Sequence, residues 1–420
     1  MNDAKLRRLF WNWHFWAGMI AGPVLIVLSI TGAIYIFKPE LELWWYADVA
    51  AAAYSHDELN LDRAAEELLA RHGSDYKMYG IELEPDSGRA PALLMMATDG
   101  SYAVRRFYID PESGGVLGEI PESNLFTVVL DIHRRLMAGT PGRFLTELTT
   151  GWTIAVTLLG LVLWWPKNWS RLKGVLVPRI KVKRYVWLRD FHSIGGAFVS
   201  TLLLVVAITG LLYSLVWGGV FQMVGFVSGQ FDVVVAPPQS VSDPSSETMG
   251  LSRLLAQIDE LGMADKRMSI HLPQVETDSI SVEAGRWYGP SASRIVHLDR
   301  ASGEVLSDQS LADLPPMAIY TQWNYPLHVG SVGGIVTKFI WLIASVVFVL
   351  LPVAGFAMWW TRRRPGKTGF PNRSDAIKPK WLVLLLLVLG FAFPLVGLSI
   401  LAVWAVNAVR GKLGRSVAAQ

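Results

Sequence analysis

Two long apolar runs, each with one histidine at its start, constrain this chain more than any other feature. The first, Trp13 to Tyr35, reads WHFWAGMIAGPVLIVLSITGAIY, and the second, from Phe191, reads FHSIGGAFVSTLLLVVAITGLLY. An offset of 178 superposes His14 on His192, Gly18 on Gly196, Thr31-Gly32 on Thr209-Gly210 and Tyr35 on Tyr213. Runs of this length read as membrane helices, since a helix needs about 20 apolar residues to cross the hydrocarbon core. An ionisable side chain at one depth of two matching membrane helices is costly, so it points to function.

Composition agrees with a membrane protein. The 420 residues are 52% hydrophobic and include 18 Trp, with mean hydropathy +0.34, too apolar for an ordinary soluble domain. Five apolar segments without Asp, Glu, Lys or Arg are long enough to span: Phe15 to Phe37, Leu148 to Trp165, Phe191 to about Trp217, Phe339 to Thr361, and Trp381 to Val409. The first exceeds the apolar core of a cleavable signal peptide and lacks a small-x-small cleavage site, so it is expected to stay as a helix. In the fifth, Pro394 marks either a kink or a hairpin. The absence of cysteine excludes disulfides, Cys-ligated zinc, iron-sulfur clusters and covalently attached haem.

Charge sets the expected orientation. Lys5, Arg7 and Arg8 precede the first helix; Lys167, Arg171, Lys173, Arg179, Lys181, Lys183, Arg184 and Arg189 follow the second; Arg362, Arg363, Arg364, Lys367, Arg373, Lys378 and Lys380 follow the fourth. The long segments between are acidic, so the N-terminus and both basic loops are expected in the cytoplasm. The basic loops read as topology signals and not as a nucleic-acid surface.

The intervening segments repeat as well. LDRAAEELLARH has helical spacing, with Leu61, Ala64, Ala65, Leu68 and Leu69 on one side, and strand-like runs follow at Met78 to Leu83, Ala92 to Ala97 and Tyr102 to Ile109. The block closes on FYIDPESGGVLGE; the second block, Gly250 to Asp313, closes on VHLDRASGEVLSD, and an offset of 189 puts Asp110 on Asp299 and Ser113-Gly114 on Ser302-Gly303. Helices two and four match at an offset of 195, which pairs His133 with His328, Gly139 with Gly334, Arg143 with Lys338, Gly160 with Gly355 and Trp164-Trp165 with Trp359-Trp360. The expected fold is therefore a mainly α membrane protein. Duplicated transmembrane helix pairs form a four-helix core with one extra C-terminal segment, and two small extracytoplasmic α+β domains are inserted. The boundaries run as helix 1 at 1–38, outer domain 1 at 39–125, helix 2 with its histidine segment at 126–166 and a basic loop at 167–186. Helix 3 at 187–217, outer domain 2 at 218–320, helix 4 at 321–361, a basic loop at 362–380, segment 5 at 381–409 and a tail at 410–420 complete the chain.

Four of the eight histidines are matched by the repeat: His14, His192, His133 and His328. The others, His56, His72, His271 and His297, read as solvated. His14 and His192 follow basic residues closely and belong near the cytoplasmic face. His133 and His328 precede their Trp-Trp pairs by 31 residues, about 47 Å of unbroken helix, and so belong at or beyond the other face, after a bend near Gly139-Thr140-Pro141-Gly142. One such histidine could cap a helix or anchor at the interface. Four, paired by copy and by depth, suit two bis-histidine haem b sites buried in an apolar bundle. Gly18, Gly195, Gly196, Gly330, Gly333 and Gly334 lie beside them and would admit a flat macrocycle or, alternatively, close helix packing. Arg134, Arg135, Arg143 and Lys338 stand near the outer pair to meet propionates, with Arg7, Arg8 and Arg189 near the inner pair.

Together, the H-x3-G and TG pattern of helices one and three, the H-x5-G start and WW end of helices two and four, and the D-x2-SG-x-VL close of each block resemble the PepSY-associated transmembrane family. The likeness is to its iron-regulated inner-membrane branch, which includes di-haem ferric-siderophore reductases. The resemblance implies PepSY-like outer domains in a bacterial inner-membrane protein. It also implies haem iron at His14, His133, His192 and His328 and one-electron reduction of a periplasmic ferric siderophore or other ferric chelate. The electron donor is expected to be membrane quinol or a cytoplasmic reductase, because no G-x-G-x-x-G fingerprint for a flavin or nicotinamide is present. The alternative is a non-enzymatic regulator of an extracytoplasmic peptidase, which leaves the four matched histidines without a role. Trp287, Tyr288, Tyr320, Trp323 and Tyr325 form either a docking surface or an aromatic belt.

Overall fold

The computed structural model describes residues 3–55, 59–85, 87–166, 173–231, 237–285, 293–363, 366, 368–371 and 387–417. In chain order the first elements are α1 (Asp3–Ile36), α2 (Lys38–Trp45), α3 (Ala47–Ala50), α4 (Asp62–His72), β1 (Tyr76–Leu83), β2 (Ala92–Ala97), β3 (Val104–Ile109) and β4 (Val116–Glu119). Next come α5 (Leu125–Arg135), α6 (Gly139–Trp164), α7 (Arg184–Leu211), α8 (Val216–Val227) and α9 (Leu251–Glu260). The chain closes with β5 (Met268–His271), β6 (Ile280–Ala284), β7 (Arg294–Leu298), β8 (Val305–Ser310), α10 (Pro316–Val329), α11 (Gly334–Arg362) and α12 (Pro394–Val417). These form two compact units: a helical one of Met1–Ile36, Val129–Met223 and Lys338–Gln420, and a sheet unit of Phe37–Val128 and Val224–Thr337.

In the helical unit, α1, α6, α7 and α11 are each long and apolar enough to cross a membrane. This is a membrane protein. Small residues let these helices approach: Ala207 of α7 packs with Ile154 of α6, and Ala344 of α11, together with the larger Phe348, meets Leu203 of α7. The third apolar run is shorter than the sequence suggests. It stops at Leu211, and α8 restarts at Val216, because the Glu147 carboxylate accepts the backbone N–H groups of Val216 (2.8 Å) and Trp217 (2.9 Å) and fixes a new helix N-terminus there.

The expected bend before helix two is a complete break. Leu136, Met137 and Gly139 all take left-handed φ values of 50°, 56° and 58°, which end α5 before α6 begins. A Cβ at Gly142 would stand 1.6 Å from the Arg135 carbonyl oxygen, so only glycine lets the two segments meet. At Pro394 the structure chooses the hairpin. Gly390 and Gly397 are in backbone contact, whereas seven residues of continuous helix would hold them about 10 Å apart. The start of that segment, Trp381, lies outside the described residues.

The sheet unit carries one eight-stranded antiparallel sheet in the order β4-β3-β2-β1-β5-β6-β7-β8. Each of the two repeated blocks supplies four strands, and the two halves join edge to edge through β1 and β5, where Gly80 pairs with His271 and Leu83 with Met268. The two blocks thus share a sheet and also a core. Leu61, Ala64 and Leu68 of the α4 segment and Leu251, Leu254, Leu255 and Ile258 of α9 pack on one face against Ile81, Leu93, Met95, Ile270, Val282 and Val296. Leu69, expected on that face, is exposed because the helical stripe has rotated past it. The D-x2-SG pattern forms the same turn twice: Gly114 and Gly303 take φ of 64° and 79°, and their N–H groups reach the carbonyls of Asp110 and Asp299.

Candidate functional site

His14 on α1 and His192 on α7 bring their rings together. The centroids are 5.9 Å apart and the planes are nearly perpendicular, at 86°. Each ring is held from behind by another helix. His14 Nδ1–H donates to the Val156 carbonyl of α6 at 3.0 Å, and His192 Nδ1–H donates to the Leu351 carbonyl of α11 at 2.9 Å. A carbonyl oxygen only accepts, so Nδ1 carries the proton in both rings and each Nε2 keeps its lone pair. Glycine makes the seat: a Cβ at Gly160 would lie 3.1 Å from His14 Cε1, and one at Gly355 3.8 Å from His192 Cε1. Val156 and Leu351, like Gly160 and Gly355, are separated by the offset of 195 that relates helices two and four.

Gly18, one turn beyond His14, faces open space: a methyl group placed there would have no neighbour within 4 Å. Gly195 and Gly196 instead touch Val347 and Leu351, which is helix packing. Gly330 and Gly334 serve turns, with φ of 71° and 64°.

His133, in the last turn of α5, rests on the Thr-Gly pair of α1. Its Nδ1 is 3.0 Å from Thr31 Oγ, and a Cβ at Gly32 would meet its Cε1 at 3.2 Å. Around it are Arg134, Arg135 and Arg143. Arg135 pairs with Asp131 at 3.4 Å, Arg143 donates to the Tyr213 carbonyl at 3.4 Å, and the buried Arg134 Nε makes no hydrogen bond among the described residues. Burial, with Arg143 and Arg135 close by, lowers the Arg134 pKa from its ordinary value. This is a cationic patch suited to an anion. Lys338 is buried at 4% exposure in the first turns of α11. His328 sits at the end of α10, in the sheet unit, one residue before Val329.

Of the remaining histidines, expected to be solvated, His297 departs furthest from that expectation, and His72 and His271 are half-buried. His297 is buried, at 3% exposure, with neither ring nitrogen hydrogen-bonded among the described residues, and burial lowers its pKa. Both faces of β7 are covered, since Ile295 and Val296 are buried as well. His72 stacks on Phe107 at 5.3 Å, His271 on β5 is partly buried, and His56 lies outside the described residues. Trp287 and Tyr288 also lie outside them. Arg7 and Arg189 have partners of their own, the Leu163 carbonyl and the buried Asp190, which Arg179 also grips through Nε at 2.7 Å.

Sequence reasoning singled out the four histidines and missed what seats them. The aligned Gly160 and Gly355 were the available signal, as was the unexplained Thr31-Gly32. Glu147, a lone acid at the head of an apolar run, was the signal for the α8 cap.

The family pattern of the PepSY-associated TM region matches residues 11–362. This chain belongs to the PepSY-associated transmembrane family. The match takes in α1, α6, α7 and α11 and therefore all four repeated histidines. No curated protein matches the chain.

Proposed function

We propose that this PepSY-associated membrane protein is a two-haem electron carrier of the bacterial inner membrane, N-terminus in the cytoplasm, that reduces ferric chelates such as ferric siderophores on the extracytoplasmic side. The observation that carries the reading is the spacing of His14 and His192. Two imidazoles that share one metal ion, at metal–nitrogen distances of about 2.0 Å, need ring centres within about 6 Å of each other; the rings here are 5.9 Å apart, and with each Nδ1–H on a carbonyl the Nε2 atoms would be the ones to hold the metal. Among the described residues no cluster of three or more His, Asp or Glu forms a metal site, so a bare metal ion would be short of ligands. A porphyrin would supply the missing four.

When bound, haem b supplies one-electron exchange between ferric and ferrous iron. The residues do the rest. His14 and His192 would take one iron, with their Nδ1–H bonds raising ligand basicity and fixing ring direction. Gly18 leaves space for the macrocycle. A second haem at His133, with His328 as its partner, rests on the sequence repeat, and Arg134, Arg135, Arg143 and Lys338 would answer its propionates. The two PepSY-like blocks, joined in one sheet, would offer walls for the chelate. The donor is membrane quinol or a cytoplasmic reductase.

The test is stopped-flow oxidation of the reduced protein, freed of excess reductant, by ferric hydroxamates and catecholates under anaerobic conditions. Reoxidation faster than in buffer supports the reductase reading. No acceleration by any chelate rejects it and leaves electron transfer between proteins, or regulation of a peptidase, as the role of the fold.

A further inference from the structure

We infer that Thr31 is a positioning residue for the outer haem: its hydroxyl holds the tautomer and tunes the donor strength of His133, and Gly32 beside it clears the ring. This rests on the haem reading of His133. Thr31 is buried at 6% exposure, and its one hydroxyl proton is committed to its own helix, toward the carbonyls of Val27 at 2.7 Å and Leu28 at 3.2 Å. Toward His133 Nδ1, at 3.0 Å, the oxygen can therefore only accept. Nδ1 must carry the proton, and the Nε2 lone pair is left for iron. The Leu28 carbonyl, which also hydrogen-bonds the ring, acts in the same sense. The neighbouring glycine completes the seat, because any Cβ at Gly32 would press on His133 Cε1 at 3.2 Å.

The seat uses one copy of the Thr-Gly repeat, and the other copy shares its first half. Thr209 on α7 commits its proton in the same way, to the carbonyls of Val205 at 2.6 Å and Val206 at 3.2 Å. It also separates the two kinds of ligand in the helical unit. His14 and His192 lean on backbone carbonyls, which substitution cannot remove, whereas His133 leans also on a side chain that can be changed one atom at a time. An N–H bond from a ligating imidazole shifts it toward imidazolate, which favours ferric over ferrous iron. Removing the Thr31 oxygen should therefore raise the potential of one haem.

The experiment is a potentiometric titration of the full-length, haem-loaded protein, followed in the visible α-band, for wild type, Thr31→Val, Thr31→Ser and Gly32→Ala. Thr31→Val is isosteric without the acceptor. It should move one of the two potentials upward and leave the other unchanged, and Thr31→Ser should restore the wild-type value. Gly32→Ala should disturb the same haem by displacing the ring, and it carries the test if Thr31→Val does not accumulate. If Thr31→Val and Gly32→Ala both retain two haems with wild-type potentials, Thr31 is only a helix residue and the inference is wrong. A wild type that binds no haem would instead overturn the functional reading itself.

Discussion

His14 and His192 hold their rings 5.9 Å apart, each with its Nδ1–H on a carbonyl of a different neighbouring helix, Val156 of α6 and Leu351 of α11. Four helices are needed to build that one pair. Replacing either histidine with alanine should therefore remove the same haem, leaving about half the visible absorbance, and the double variant should lose no more than either single one. Loss of different haems in the two single variants would disprove the pairing.

The seats of the two rings differ in tightness. A methyl at Gly160 would come within 3.1 Å of His14, tighter than ordinary contact, whereas one at Gly355 would sit 3.8 Å from His192. Gly160→Ala should accordingly lower haem occupancy or shift its spectrum, and Gly355→Ala should be close to neutral. Equal effects would show that the rings can move freely.

How far these features were legible follows from which forces act locally. The membrane helices, strand runs and turn glycines were readable because apolar length, period and positive φ are written into short stretches. The break between Leu211 and Val216 was not, because the group that ends one helix and starts the next is Glu147, about 70 residues away. Nor was the joined sheet, since β1 and β5 meet across nearly 190 residues of chain. The histidines stood out through their repeat, and the carbonyls that orient them carry no sequence signature at all.

The β1–β5 seam depends on Gly80. A Cβ there would lie 2.3 Å from the Ile270 carbonyl oxygen, a clash with backbone that cannot rotate away. Gly80→Ala is expected to destabilise the sheet unit by about 2 kcal/mol or more, in the range of strong overpacking. Chemical denaturation of the protein, followed by protease resistance of the sheet unit, measures it.

Asp299 pins the segment ahead of α9 to the β7–β8 turn. Fully buried, it accepts from the backbone N–H groups of Val241, Ser242, Ala301 and Ser302 and from the hydroxyls of Ser240, Ser242 and Ser302. Burial alone would raise its pKa, but these donors, led by Ser240 and Ser242, outweigh it and hold the carboxyl well below the usual range. A depressed folded pKa means stability that is complete above the ordinary carboxylate value near 4 and is lost as pH falls below it. The sheet unit should thus weaken in acid below about pH 4. Asp299→Asn should cost about 3 kcal/mol, flatten that acid limb and leave haem content unchanged. An unaltered acid profile in Asp299→Asn would assign the limb to other carboxylates.

The most direct test of the central claim is the haem content of the purified protein, made with ample haem supply. A reduced-minus-oxidised spectrum combined with a pyridine haemochrome assay should give about two non-covalent haem b groups per chain, all extractable by acidified acetone, as a chain without cysteine requires. A folded, colourless protein under those conditions would contradict the account.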